Sequence, residues 1–174
     1  PASAAVVTTN AAHAAAVAHR VDRLAVTIPL APNVPDCGPV DVAAVRARLG
    51  IPADAQVVAF FGFVHPVKGL RYLIEAAARL RGRHPRLHLL LVGGFTSRAL
   101  PAREAHAFRA ELVERADGCG VADIVTITDH LPAVEVSAAL HAADVAAFPF
   151  TAGATTKSGA LLSAFAHGLP TLVT

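Results

Sequence analysis

Two short segments hold residues whose types and spacing fit the binding of an anion. In "FGFVHPVKGL" (Phe61 to Leu70), Gly62 ends an apolar run, His65 follows in the loop, and Lys68-Gly69 opens a helical pattern. In "ATTKSGALLSAFAHGLPTLVT" (Ala154 to Thr174), Thr155, Thr156, Lys157, Ser158 and Gly159 lead into an apolar helical run. A lysine held where first-turn amides point outward meets a phosphate with both charge and direction. Ser158 or Thr156 can cap the second helix, and Gly159 leaves room for a ligand to approach the backbone. Lys157 opposes the helix dipole, an arrangement that an anion would relieve. The same residues also fit an ordinary helix cap beside solvated lysines. Neither segment is a G-x-x-x-x-G-K-[ST] loop, and no G-x-G-x-x-G occurs.

Other chemistry has less support. The nine histidines include no pair at convincing metal-ligand spacing; Pro85 breaks the helix that would align His84 with His88. His65, and His130 after a strand end, fit as ligand neighbours. There is no G-x-S-x-G and no pair of carboxylates at a strand end, so neither hydrolase nor glycosidase chemistry is indicated. No metal or other cofactor is expected. With a net charge of +2 and no basic run, a nucleic-acid groove is not expected. Cys37 and Cys119 form no C-x-x-C, which suits a reduced, cytoplasmic chain. The apolar run from Gly159 to Thr174 is broken by His167, Gly168 and Pro170, so it cannot span a membrane as a helix. The first nineteen residues carry no charge but lack the basic start of a signal peptide. A chain that begins at Pro1, has no methionine and stops at the tip of a strand is expected to be a piece of a longer protein.

The elements that must position these loops follow from apolar spacing. Hydrophobic residues make up 54% of the chain and charged ones 16%, which excludes disorder. "QVVAFFGFV" (Gln56 to Val64) and "RLHLLLVGG" are apolar at consecutive positions, as strands covered on both faces must be. A helix from Gly69 to Arg81 buries Leu70, Leu73, Ile74, Ala77 and Leu80, with Glu75 and Arg79 paired on the other face. A longer one, from Pro101 to Asp117, turns Phe108, Leu112 and Val113 inward. "ADIVTIT" and "DVAAFPF" are strands around a helix from Pro132 to Ala142, and "TLVT" is the last strand. Toward the start, Ala4 to Thr8 and Ala25 to Ile28 are short strands around a helix capped by Asn10. Asp41 caps a further helix that ends at Leu49. The segment "PLAPNVPDCGP" is proline-rich and reads as a linker. The order is βα six times, then β, which implies an α/β fold with a Rossmann-like, doubly wound parallel sheet. Ligands of such sheets sit at the carboxyl ends of the strands. That singles out loops 62–69, 93–100, 128–132 and 150–159, with the two lysine loops flanking one crevice if their strands are neighbours.

"VVAFFGFVHPVKGLRYLIEAAARL", "LHLLLVGG", "ADIVTIT", "AADVAAFPF" and "LLSAFAHGLPTLVT" together resemble the carboxyl-terminal domain of GT-B glycosyltransferases of family 4, the glycosyl transferases group 1. The resemblance runs from about Val57 to the end. It implies that residues 1–35 close the amino-terminal domain and form the linker, and that 36–174 are a nucleotide-sugar-binding domain, truncated at its carboxyl end. It also implies a nucleotide-diphosphate-sugar donor, transfer of a hexosyl group with retention, and a carbohydrate, lipid or small-molecule acceptor bound mostly by the other domain. The expected donor site comprises Gly62, Phe63, His65, Lys68, Gly69, His130, Thr155, Thr156, Lys157, Ser158, Gly159 and Ser163. Lys68, Lys157 and the amides of Ser158 and Gly159 would hold the diphosphate, and the loop with His130 the base. The sequence departs from the family's pattern in three places. Phe63 stands where the G-R-x-x-x-x-K-G signature has arginine, and Thr155 and Ser163 stand where the family has two glutamates. Ser163, four residues beyond Gly159, would face the ligand and make a weaker ribose bond. These departures keep open a non-catalytic, transferase-like binding module; with half of the cleft expected on another domain, a fragment inactive on its own is a further reading. Peripheral membrane association of the full-length protein and a dimer through the exposed interdomain face are further expectations.

Overall fold

The computed structural model describes residues 5–20, 25–95 and 100–174. Two parallel sheets form. The smaller pairs β1 (Val6–Thr8) with β2 (Ala25–Thr27) and encloses the helix α1 (Ala11–Ala18), which Asn10 caps through the His13 amide. The larger has the order β5-β4-β3-β6-β7, built from β3 (Gln56–Phe61), β4 (Leu87–Val92), β5 (Val125–Ile127), β6 (Val145–Phe148) and β7 (Thr171–Val173). Every pairing in it is parallel. The connections are α3 (Leu70–Arg81), α4 (Ala102–Gly118), α5 (Ala133–His141) and α6 (Gly159–Ala166), with α2 (Val42–Arg48) ahead of β3. This is the expected doubly wound order.

The apolar strand runs divide between two cores with a period of two residues. Phe60, Leu89 and Leu91 face one way, against Leu70 and Ile74 of α3 and Phe108 and Leu112 of α4. Val57, Ala59, Phe61, Leu90 and Val92 face the other way, against Val136, Ala139 and Leu140 of α5. All six residues of β4 are buried, which explains its uninterrupted apolar run.

Some local expectations change. β3 stops at Phe61 because Gly62 turns the chain at φ +142°. β6 stops at Phe148, before Pro149, and Ala122–Ile124 form a single 3-10 turn rather than strand. Val113 is 39% exposed rather than inward. Glu75 pairs not with Arg79 but with Arg115, at 2.5 Å, because α3 and α4 lie side by side. Ala4 and residues 96–99 of the loop after β4 lie outside the described residues.

Candidate functional site

β3 and β6 are neighbours, and the sheet order reverses between them: β4 and β5 continue to one side, β7 to the other. The loops leaving their carboxyl ends therefore open on one crevice. The two loops are tied together. Thr151 donates to the Val67 carbonyl from its backbone nitrogen (3.2 Å) and its hydroxyl (3.0 Å). His65 caps the 3-10 turn Pro66–Lys68, its Nδ1 accepting from the Val67 amide at 3.3 Å. Gly69 follows at φ +73°, and a Cβ there would overlap the Pro149 carbonyl. Only glycine lets the start of α3 lie so close to the end of β6.

Lys68 and Lys157 line the same crevice, of about 300 Å³, with Phe150, Gly153, Thr155 and Ser158. The Lys68 Nζ stands 4.6 Å from the centroid of the Phe150 ring, a cation–π contact that holds the ammonium at the crevice wall. At the mouth of α6 the Ser158 hydroxyl caps the helix, accepting from Leu161 N at 3.2 Å. Thr156 does not cap; its hydroxyl accepts from Asn10 Nδ2 at 3.3 Å. The Ser158 amide, expected to face a ligand, donates instead to the Thr155 carbonyl at 3.2 Å. The amides of Gly159 and Ala160 have no acceptor among the described residues.

A second crevice, of about 290 Å³, brings together Gly62, Phe63 and His130 with Gly93, Gly94 and the linker residues Asn33 and Val34. Among the described residues no carboxylate lines either crevice, and the first carries the two lysine ammonium groups.

Ser163 differs most from expectation. It is 0% exposed, and its hydroxyl donates to the Gly159 carbonyl (2.9 Å) while accepting from the Val34 amide (3.0 Å). Its only proton is given to Gly159 and the side chain is fully buried against the linker, so it presents no donor to a ribose hydroxyl. Gly159, expected to admit a ligand, admits Asn33: a Cβ at 159 would overlap the Asn33 side chain.

Reading the sequence alone also missed the rest of the linker's seat. Ser137 of α5 accepts from the Cys37 amide at 3.0 Å. His167 bridges the two serine positions, with Nε2 at 2.8 Å from Ser137 Oγ and Nδ1 at 2.7 Å from the Ser163 carbonyl. His141 Nε2 meets Asp36 Oδ1 at 2.8 Å, and that bond holds the Asp36 carboxyl below its ordinary pKa. Asp36, His141 and His167 bring three ligand-type atoms within 4.8 Å of one another. Both ring nitrogens of His167 are already bonded within the fold, so the trio reads as a latch for the linker rather than a metal centre.

A parallel sheet with this order and two basic loops at its switch point defines a Rossmann-like α/β unit. The family of glycosyl transferases group 1 matches residues 55–174. The chain belongs to that family. It is 37% identical over 116 residues to a D-inositol 3-phosphate glycosyltransferase of Stackebrandtia nassauensis, a match covering 64% of this chain and 25% of the relative. The enzyme of the same description from Mycobacteroides abscessus is 37% identical over 111 residues, 64% of this chain and 23% of the relative. Among solved structures, Anabaena Alr3699/HepE in complex with UDP and glucose superposes with a TM-score of 0.74 at 22% identity, covering 97% of this chain and 44% of that one. Sucrose-phosphate synthase from Thermosynechococcus elongatus gives a TM-score of 0.71 at 26% identity, over 96% and 39%. The chain thus spans about a quarter of the length of the curated relatives it matches. Among the described residues, no helix is long and apolar enough to cross a membrane.

Proposed function

We propose that this chain is the donor-binding part of a glycosyltransferase, taking a nucleotide-diphosphate-sugar and presenting its hexosyl group to an acceptor held across the cleft by another domain. One observation carries the reading: Lys68 and Lys157 line one crevice at the carboxyl ends of neighbouring parallel strands. As the sugar leaves, negative charge grows on the diphosphate. Two ammonium groups and the amides of Gly159 and Ala160 would stabilise it there without reorganising. This reading assigns charge neutralisation to the chain's own groups and calls for no metal. The His130 crevice takes the base, and residues 1–35 are the end of the preceding domain with its linker. Retention of configuration, a cytoplasmic setting and a carbohydrate, lipid or small-molecule acceptor belong to the same proposal. Supporting it are the family membership and the relatives described as D-inositol 3-phosphate glycosyltransferases.

The test is calorimetric titration of uridine, guanosine and adenosine diphosphates into the protein and into Lys68→Ala and Lys157→Ala. Each substitution is expected to weaken the best-bound nucleotide by roughly tenfold, about 1.4 kcal/mol. Affinity unchanged in both variants would overturn the assignment.

The lack of carboxylates in the crevices among the described residues and the engagement of Ser163 favour a second reading, a binding module of the same fold without turnover. Donor hydrolysis or transfer by the full-length protein would exclude it.

A further inference from the structure

The linker residue Asn33 stands where the walls of the site meet. Its backbone amide donates to the Gly159 carbonyl at 3.1 Å, and its Oδ1 packs against the glycine itself. It also lines the crevice of Gly62, Phe63 and His130. Gly62 closes the ring, since a Cβ there would lie 3.5 Å from the Cβ of Ala160 in the first turn of α6. Asn33, the loop after β3 and the mouth of α6 therefore share one rim. The backbone beneath Asn33 is fixed on both helices: Val34 bonds Ser163 of α6, and Cys37 bonds Ser137 of α5. A side chain held on so fixed a backbone has few rotamers to lose on meeting a ligand. The whole amide lies over Gly159, Oδ1 nearest and Nδ2 farther out, and Nδ2 carries the donors.

We infer that Asn33 is a donor-contacting residue supplied by the linker, its Nδ2 donating to the diphosphate of the bound nucleotide. The inference rests on the reading of the site as a nucleoside-diphosphate site. It has a second consequence. Nucleotide binding and linker seating stabilise each other, because coupling between two sites is reciprocal.

The experiment titrates uridine, guanosine and adenosine diphosphates into the wild type, Asn33→Ala and Asn33→Asp, and follows hydrogen exchange at the Val34 and Cys37 amides. Asn33→Ala is expected to weaken the best nucleotide roughly fivefold, the loss of one hydrogen bond. Asn33→Asp keeps the shape and the backbone bond but sets a carboxylate against the diphosphate, and is expected to weaken it roughly twentyfold or more. A purely structural Asn33 would tolerate that isosteric change, so Asn33→Asp decides even if Asn33→Ala unseats the linker. In the wild type, nucleotide slows exchange at both linker amides. Wild-type affinity in Asn33→Asp would overturn the inference alone. Failure of the wild type to bind any of the three nucleotides would overturn the reading of the site, and this inference with it.

Discussion

The buried hydroxyl of Ser163 takes the backbone N–H of Val34 at 3.0 Å, joining α6 to a linker residue 129 positions earlier. At a position where the resemblance implies a glutamate, this chain uses the side chain to hold its own linker. Ser163→Ala leaves the Val34 amide buried without its acceptor and is expected to cost about 1–3 kcal/mol. Ser163→Glu, which installs the residue type that the resemblance implies, places a carboxylate at a closed position and is expected to cost more, about 3–5 kcal/mol, without improving nucleotide binding. Urea unfolding of the two variants beside the wild type measures both. A tolerated Ser163→Glu with tighter nucleotide binding would show that the linker yields its place.

The contrast between what the sequence displayed and what it concealed follows from distance along the chain. β3 and β4 were legible because burial on both faces demands apolar residues at every position, a local record of a global fact. The shared crevice of Lys68 and Lys157 was legible because right-handed crossovers leave few orders for the strands. The fate of Ser163 was not. Helical spacing correctly put it on the Gly159 face, but whether a ligand or the linker lies over that face depends on a contact with residue 34. The same applies to Glu75, whose local partner Arg79 loses to Arg115 of a packed neighbour. Asn33 fell within a proline-rich linker and was not singled out; its fit to Gly159 exists only once both segments are folded together.

Phe63, which stands where the resemblance implies an arginine, is 58% exposed at the rim of the His130 crevice. Phe63→Arg removes little buried surface, so stability is expected to stay within about 0.5 kcal/mol. A guanidinium there offers a forked pair of donors to the diphosphate. Nucleotide affinity is expected to rise roughly tenfold, and to fall off with added salt more steeply than in the wild type. Titration at two ionic strengths checks both. Unchanged affinity would mean that the phosphates lie out of reach of position 63.

Gly69 joins the Lys68 turn to α3 at φ +73°, and the Pro149 carbonyl fills the space where a Cβ would stand. Gly69→Ala combines a left-handed backbone with an overlap against main-chain atoms that no rotamer relieves. The expected cost is about 3 kcal/mol or more. The move separates the loops of β3 and β6, so nucleotide affinity is expected to fall even under conditions where the protein remains folded. Thermal unfolding together with titration at low temperature separates the two effects. An Ala variant as stable as the wild type would contradict this account of how the lysine loops are held together.

His88 sits in β4 at 3% exposure, its Nε2 at 2.9 Å from the Thr126 hydroxyl. Burial is the largest influence on it and pushes its pKa below the ordinary 6.5; nearby Asp123 pulls upward and Arg46 downward. An unfolded chain takes up a proton at this ring as pH falls through 6.5, while the folded chain keeps it neutral to lower pH. In that window the unfolded state binds more protons, so stability falls as pH falls, down to the folded-state pKa. His88→Gln removes the titration. Unfolding free energies of wild type and variant, measured by urea at about pH 8 and about pH 5.5, should therefore converge toward the lower pH as the wild type loses its neutral-histidine advantage. A gap that stays constant between the two pH values would mean that His88 is protonated in the folded strand, and that the strand tolerates the charge.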